Sequence, residues 1–413
     1  MEFVLSELCD QVMTAHAGHK PIFITGGGSK AFYGNHRPLR PQDGHCLLDV
    51  NAYQGIVNYQ PSELMVTVRA GTPLQDLQAE LAEQGQMLAF EPPHYGAGAT
   101  VGGCVATGLS GPRRMSAGAV RDFVLGARLL DAQGRVLNFG GEVMKNVAGY
   151  DVSRLLAGSQ GIFGAILEVS LKVVPRPMEE LTLCLEADET QALALFARWR
   201  GLPMPVSATA WLPVPGTPGQ LWVRLSGAPP AIATARVRIG GEAVDAAAAA
   251  DHWTSLREQT HSFFDRGRSL WRIAVPPSTP PLGLGPTLME WGAGQRWLSV
   301  GTDGNGDGSN GSSNGNNNGS SNGNRNGNGN GNGNGNGNGN GSSNGNGYAD
   351  VLRAAAQARG GHATLFRPAH QRDIPADGVF HPLAAGVAQL TRRLKQELDP
   401  LGLFNPGRLI LEL

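Results

Sequence analysis

Gly26, Gly27, Gly28 and Ser29, followed by Lys30, have the types and spacing to hold an anion. Glycine backbone offers its N–H groups with no side chain in the way and reaches left-handed conformations without strain. Gly26, Gly28 and Ala31 also complete a formal G-x-G-x-x-A, with an acid, Asp49, roughly 20 residues further on, which is the outline of a dinucleotide-binding turn. That chemistry needs a helix opening at the third small residue, so that its N-terminus meets a pyrophosphate. Here Gly34, Pro38 and Pro41 follow Ala31 with no apolar i, i+3, i+4 repeat between them. A helix would lose about 1 kcal/mol at the glycine and about 3 at each proline. The dinucleotide fingerprint fails its context, and no Walker pattern is present. On its own the segment fits a ligand-free structural turn as well as an anion loop.

A second segment, PPHYGAGATVGGCVATGLSGP at 92–112, is almost without bulk and too long to be a turn. Backbone this bare can donate to an anion or let a flat ligand lie against it. A third stretch, KNVAGYDVSRLLAGSQGIFGAILEVSLK at 145–172, repeats the theme, with Gly158, Gly161 and Gly164 leading into what reads as an exposed, edge-like strand. Such segments in one domain call for one extended ligand.

These loops need elements to aim them. The apolar run at 21–25 reads as a strand that opens into the first loop. LMVTVRA (64–70) alternates as a strand; Thr72 and Gln75 then form a capping box with Pro73 at the first helical position, and Leu74, Leu77 and Leu81 mark one helix face until Gly85. VLGARLLDAQGRVLNF (124–139) predicts two strands around a DAQG turn, and AILEVSLKVVP (165–175) an alternating strand. From 181 to 303 helices and strands intermix: a capped helix from Asp188 to Arg200, strands at VSATAWLP and QLWVRLSG, a helix near HWTSLREQTHSFF, and strands at LWRIAVP, LMEW and QRWLSV. That pattern is α+β. A helix at about 381–398 and a tail, LFNPGRLILEL, finish the sequence.

The 413 residues suffice for two domains and a substantial core. Lys+Arg 33 against Asp+Glu 34 leaves no basic footprint for nucleic acid, and the local spots Arg113-Arg114 and Arg392-Arg393-Lys395 read as solvated faces. Cys9, Cys46, Cys104 and Cys184 lie far apart with no C-x-x-C, and the 10 histidines form no i, i+4 pair, so neither an iron–sulfur nor a metal site is expected. The start, MEFVLSELCDQV, lacks the regions of a signal peptide, and no apolar run approaches the ~18 residues a membrane span requires. A cytoplasmic setting is expected, with any membrane contact peripheral or through a partner. From Gly304 to Gly347 the chain becomes Asn, Gly and Ser. Nothing apolar there offsets a chain entropy of about 1–2 kcal/mol per residue, so a disordered insertion looped out of one domain is expected.

The ordered set TGGGS (25–29), LDVNAYQGI (48–56), VRAGTPLQDLQAEL (68–81), ATVGG (99–103), RDFVLGARLLDAQGRVL (121–137), KNVAGYDVSRLLAGSQGIFGAILEVSLKVVP (145–175) and FNPGR (404–408) resembles the vanillyl-alcohol oxidase/p-cresol methylhydroxylase flavoproteins. Within that family it is most similar to the FAD-binding subunits of bacterial glycolate oxidases. The match is dense over residues 1 to about 178, good over the terminal helix and tail, and loose between. The resemblance implies an α+β, two-subdomain FAD-binding fold of the vanillyl-alcohol oxidase type at 1–178. It further implies a smaller α+β cap-like second domain at 179–380, containing the Asn/Gly-rich insertion at 304–347, and a C-terminal helix and tail at 381–413 returning to the FAD-binding domain.

The same resemblance implies extended FAD, its pyrophosphate over Gly26, Gly27, Gly28 and Ser29 and over Ala99, Thr100, Val101, Gly102 and Gly103. Adenine and ribose contacts would come from Ser110 to Gly118 and from Gly161 to Ile166. Backbone donors, and not a helix dipole, would neutralise the phosphates, Lys30 could pair with them, and Asp49 would belong to a strand turn. Some members tether their flavin through a His in the first glycine loop; Ser29 and Lys30 stand there instead, so a non-covalent FAD is expected.

A flavin enzyme that oxidises a 2-hydroxy acid needs a hydride acceptor, a base for the hydroxyl proton, and Arg or Lys for the carboxylate. On the flavin side the candidates are His94, Arg113, Arg114, Lys145 and Asn146; from the C-terminal part come His362 and Arg367 in GGHATLFRP, plus His381. Arg367 fits a pairing with a local acid equally well, and His94 fits a loop-capping role. The region at about 180–303 is short and has no His cluster, which points away from a complete substrate pocket of its own. The role implied is an accessory FAD-binding subunit of glycolate oxidase. It would work with a second flavin subunit and an iron–sulfur subunit to turn glycolate into glyoxylate while electrons leave for a membrane acceptor. The rivals are a self-sufficient FAD-linked 2-hydroxy acid dehydrogenase and a flavin-free scaffold of the same fold.

Overall fold

A computed structural model describes residues 1–35, 44–141, 152–301 and 346–413 of the chain. The readings made for Lys145, Asn146 and residues 304–345 lie outside that set. Asn346 and Gly347, expected to close the Asn/Gly-rich insertion, instead open the Asn346–Gln357 helix.

The Glu2–Ala17 helix buries Leu8, Val12 and Ala15, one helical stripe, against the parallel pair Ile22–Thr25 and Cys46–Asp49. The tail near the C-terminus extends this pair. Ile22 N–H donates to Leu403 O at 2.8 Å, Asn405 N–H to Ile22 O at 2.8 Å, and Ile24 N–H to Asn405 Oδ1 at 2.9 Å.

Beside it lies a five-stranded antiparallel sheet in the order Ile56–Gln60, Met65–Arg69, Ala165–Lys172, Val124–Leu130, Val136–Gly140. Ala165–Lys172, expected at an edge, is the middle strand. Its polar residues look solvated in the sequence but are paired across the sheet. Glu168 Oε1 accepts from Tyr53 Oη at 2.7 Å and from Arg128 Nη1 at 2.9 Å, and Ser170 Oγ lies 2.8 Å from Thr67 Oγ1. Two helices cover one face. Leu74–Glu83 inserts Leu74, Leu77 and Leu81 into the core with Val66, Val68 and Phe90. No side chain caps that helix: Pro73 sits at its N-cap, and the Thr72 hydroxyl expected there accepts from Gly55 N–H at 2.8 Å instead. The second is Val101–Thr107, where Gly102 lets the helix descend on the strand, since a Cβ there would stand 2.6 Å from Ala70 Cβ.

The second half is one eight-stranded antiparallel sheet. Its order is Glu242–Ala243, Glu179–Ala187, Gly219–Gly227, Val206–Leu212, Thr287–Glu290, Gln295–Val300, Ser269–Ala274, His362–Arg367. Strand alternation divides its side chains between two faces. Leu221, Val223 and Leu225 pack under the Glu189–Arg200 and Pro229–Ile239 helices, and Ile273, Leu298 and Leu365 under Asn346–Gln357. Residues Ala208, Ala210, Leu270, Leu288, Trp297 and Phe366 form the inner face with the Ala246–Arg257 helix and with Tyr33 and Leu109 of the first half. The Asp188/Gln191 capping box opens its helix as expected.

The last long helix runs Ala385–Leu398, starting later than 381 because Pro382 precedes it. Lys395, expected on a solvated face, is 3 % exposed and donates to Ile162 O, Phe404 O and Asp399 Oδ2 at 2.6, 2.8 and 2.6 Å. Among the described residues no helix is long and apolar enough to cross a membrane.

Candidate functional site

After Thr25 the chain turns through Gly26, Gly27 and Gly28, and no helix opens among the described residues up to Asn35. A Cβ on Gly27 would lie 1.4 Å from Gly98 O, and one on Gly98 would lie 2.7 Å from Gly27 O. The two segments therefore meet main chain to main chain. Gly28 faces open space, and its left-handed backbone at φ +71° is what favours glycine there. None of the N–H groups of residues 26–30 donates to another described residue. Gly27 and Gly28 are exposed, but Gly26 and Ser29 are half-buried and Lys30 is buried; amides so placed are normally paired, so these free ones await an acceptor.

That row opens on a cavity of about 250 Å³. Gly26 to Ala31 line one wall, Gly98, Thr100, Gly102 and Gly103 a second, and Gly161, Gly164 and Ile166 a third, with Asn405 and Arg408 closing an end. The second wall differs from the donor loop expected of it. It is the first turn of a helix whose amides are already used: Ala99 N–H donates to Gly96 O, Val101 N–H to Thr72 O, Gly102 N–H to Ala70 O, and Gly103 N–H to Thr100 Oγ1. Ala99 and Val101 are buried and do not line the cavity. What this wall contributes is flatness. Ser110 and Gly118 are also away from the cavity. The Ser110 hydroxyl accepts from Val120 N–H at 3.1 Å, and Gly118 ends a helical turn at φ +102°.

Lys30 supplies the charge. It is 7 % exposed, and its Nζ lies 3.2 Å from His94 O and 3.5 Å from Ser29 Oγ, with no carboxylate in ion-pair range among the described residues. Burial lowers its pKa, with Cys104 and Glu258 opposing. A desolvated ammonium against neutral partners gains from an anion. The donor row, the close-packed glycines and this cation together fit the diphosphate of an extended FAD.

The remaining candidates fall into two groups. His94 Nε2 is 2.7 Å from Gln78 Oε1, while its main-chain N–H donates to Glu258, so it packs a loop. Arg113, read as solvated, is 6 % exposed and ties Glu91 to Glu180. Arg367 donates to Gln259 Oε1 at 3.1 Å and Phe264 O at 2.9 Å, so neutral acceptors and not an acid hold it, away from the cavity. Arg114 and His362, by contrast, stand toward the inner face of the large sheet, and His381 lies beside its edge strand, where Nδ1 accepts from Ala363 N–H at 3.4 Å. The Arg114 guanidinium lies 4.5 Å over the Trp291 ring, and the His362 and His381 rings are 6.4 Å apart.

Arg113 apart, the sequence reading gave no role to the groups that clamp the two halves together. Glu91 accepts from Arg113 N–H at 2.7 Å and from Arg224 Nη2 at 2.9 Å. Burial alone would raise its pKa, but the Arg224 and Arg113 guanidiniums outweigh that and hold it below the ordinary range. Glu258 accepts from Tyr95 N–H at 2.7 Å and His94 N–H at 3.0 Å. Between them the loop carries two non-glycine residues in left-handed backbone, Glu91 at φ +47° and Tyr95 at φ +54°, a local strain that the clamps retain. Arg408, quoted only as part of FNPGR, donates to Ala31 O and Tyr33 O at 2.8 Å each and so fixes the turn after the glycines.

Comparison with known proteins agrees with this geometry. A family model described as FAD binding domain matches residues 5–140. Over 407 residues, 98% of this chain and 97% of the relative, the chain is 41% identical to glycolate oxidase subunit GlcE of Escherichia coli (strain K12). It is 32% identical to a D-lactate dehydrogenase of Anaerostipes hadrus over 34% of this chain and 30% of that protein. With glycolate oxidase subunit GlcD of Bacillus subtilis (strain 168) the identity is 29%, over 45% of this chain and 38% of the relative. Among solved structures, an alkyldihydroxyacetonephosphate synthase shares the fold at a TM-score of 0.63 and 14% identity, covering 98% of this chain and 76% of that one. The cavity of free amides thus belongs to an FAD-binding protein, and the chain is a member of the GlcE family of glycolate oxidase subunits.

Proposed function

We propose that the chain is the FAD-binding subunit of a glycolate oxidase complex. It binds FAD non-covalently and contributes to the oxidation of glycolate to glyoxylate, with electrons passing to a second flavin subunit and an iron–sulfur subunit. The observation that carries this reading is the row of undonated amides at residues 26–30 beside buried Lys30. Bound there, FAD supplies a two-electron acceptor for the hydride that a 2-hydroxy acid loses as its hydroxyl proton departs.

The chain's own residues prepare that site. Amides 26–30 would take phosphate oxygens, and Lys30 would offset their charge from inside the protein, where the attraction is least screened. The flat second wall and Ile166 exclude water from the ligand's faces. Arg408 and Asn405 keep the turn and the first strand in register with each other. Ser29 and Lys30, standing where a tethering His would be, leave the cofactor dissociable. The setting is cytoplasmic, with membrane contact through the partner subunits.

Purified chain should be yellow, and acid precipitation should release its flavin to the supernatant. Reconstituted with its partner subunits, it should support glycolate-dependent reduction of an artificial electron acceptor. A colourless chain, or flavin fluorescence that stays on the polypeptide in a denaturing gel, overturns the reading.

A further inference from the structure

The third wall of the cavity is a loop and not a strand or a helix. Between Val152–Leu155 and Ala165–Lys172 the chain passes through Gly158, Gln160, Gly161 and Gly164 in left-handed backbone, at φ +87°, +55°, +73° and +147°. For Gln160 that conformation is a strain, kept only where neighbours hold it. Two side chains from the C-terminal part reach the loop's carbonyls. Asn405 Nδ2 donates to Gln160 O at 2.7 Å, and Lys395 Nζ donates to Ile162 O at 2.6 Å. Asn405, itself left-handed at φ +40°, also accepts from Ile24 N–H at 2.9 Å, so it bridges the third wall to the strand that enters the first.

Lys395 works from further back. It is buried, does not line the cavity, and uses its three N–H donors on Ile162 O, Phe404 O at 2.8 Å and Asp399 Oδ2 at 2.6 Å. Asp399, 1 % exposed, accepts in turn from Leu403 N–H at 3.0 Å and Phe404 N–H at 2.7 Å. A buried ion pair is a costly fastener, and a well-packed apolar pair of the same volume is often as stable or more so. What an ammonium does, and a leucine cannot, is hold two carbonyls from distant segments at fixed distance and direction. Each contact lies one residue from the ligand space: Ile162 follows Gly161 and Phe404 precedes Asn405, and Gly161 and Asn405 both line the cavity.

We propose that Lys395 is a positioning residue for the flavin cofactor, which from outside the cavity fixes the third wall against the 403–405 segment and so sets the width of the cleft that FAD enters. The proposal rests on the FAD reading above. It gives a function to a lysine that forms no part of the amide row and touches no ligand.

FAD titration of the full-length apoprotein, followed by flavin fluorescence, tests this. Lys395→Ala should bind FAD about 30-fold more weakly while its far-ultraviolet circular dichroism stays that of wild type. Propylammonium replaces the atoms that substitution removes and should restore affinity to within about 3-fold of wild type. 1-Propanol, of similar shape but with one donor and no charge, should not. Arg392→Met, which removes an exposed pair between the same helix and Glu412, should leave FAD affinity unchanged. A folded Lys395→Ala chain that binds FAD as wild type does overturns the proposal, as does rescue by propanol equal to that by propylammonium. Hydrogen exchange of the wild-type chain needs no variant. FAD should slow the amides of 160–164 and 403–405 and leave those of Gly219–Gly227 as they were, and unchanged exchange at 403–405 overturns the proposal too. A wild-type chain that takes up no FAD sinks the FAD reading itself, whereas equal FAD affinity in wild type and Lys395→Ala sinks the positioning role alone.

Discussion

The cavity and the seam between the two halves are built from opposite materials. The cavity presents main chain: free amides at residues 26–30, and glycines that touch where any side chain would collide. The seam presents charged side chains: Glu91 with Arg113 and Arg224, and Glu258 capping two amides of the 94–95 loop. Main-chain sites are rigid and indifferent to pH, since an amide does not titrate. Side-chain seams depend on protonation and on every partner being present. The proposed diphosphate site is thus made of groups that cannot change state, and the seam between the halves of groups that can.

The most damaging way to break this contrast is Gly27→Val. Its Cβ would enter Gly98 O, so the walls must part, and flavin per polypeptide should fall to about a tenth or less while the second half keeps its fold. Bound flavin at wild-type level in that variant would show that the glycine contact is dispensable. Glu91→Ala attacks the other material. It leaves Arg224 without its acid beside Arg113, which keeps Glu180, at a cost of about 3–5 kcal/mol in urea denaturation. Because the Glu91 pKa is depressed in the fold, its stabilisation is present above the ordinary carboxylate pKa and is lost as pH falls through the folded value.

Glu290 sharpens the same point with the sign reversed. It is 3 % exposed and, among the described residues, its carboxyl accepts from the neutral donors Trp297 Nε1 at 2.6 Å and Gln295 Nε2 at 3.0 Å. Burial pushes its pKa up to about 7 despite both hydrogen bonds. The folded chain thus keeps a proton that the unfolded chain releases above about pH 4.5, so this group makes stability fall between about pH 4.5 and 7, by on the order of 3 kcal/mol. Glu290→Gln should flatten that slope in denaturation curves taken across the window; an unchanged slope assigns it elsewhere. Lys30→Met is the mildest test. FAD titration of the apoprotein should show roughly 10- to 100-fold weaker binding and a shallower salt dependence, with no loss of apoprotein stability.

The cavity was far more legible in the sequence than the seam, for the same material reason. Where backbone meets backbone only glycine fits, so TGGGS and GAGATVGG mark the contact by residue type alone. Which amides remained free was not legible: Val101 and Gly102 spend theirs on Thr72 and Ala70, a fact of tertiary packing. Glu91 and Glu258 are ordinary charged residues in their local windows, and only strand register and the docking of the halves give them partners. The middle strand Ala165–Lys172 was misplaced because alternating Glu168 and Ser170 look solvated when their cross-strand partners are unseen. Helix Pro229–Ile239 escaped notice because Ile232, Thr234, Val237 and Ile239 favour strands locally, and burial of Ile232, Ala235 and Ile239 under the sheet overrides that preference.

The strand that feeds the glycine turn takes its hydrogen-bonding neighbour from Leu403 to Asn405. Ile24 and Asn405 stand 381 residues apart, so the end of the cavity closes only when two distant parts of the sequence are both in place. Proteolytic trimming beyond Asp399 would therefore open the cavity from its far end, by stripping the first strand of Leu403 and Asn405.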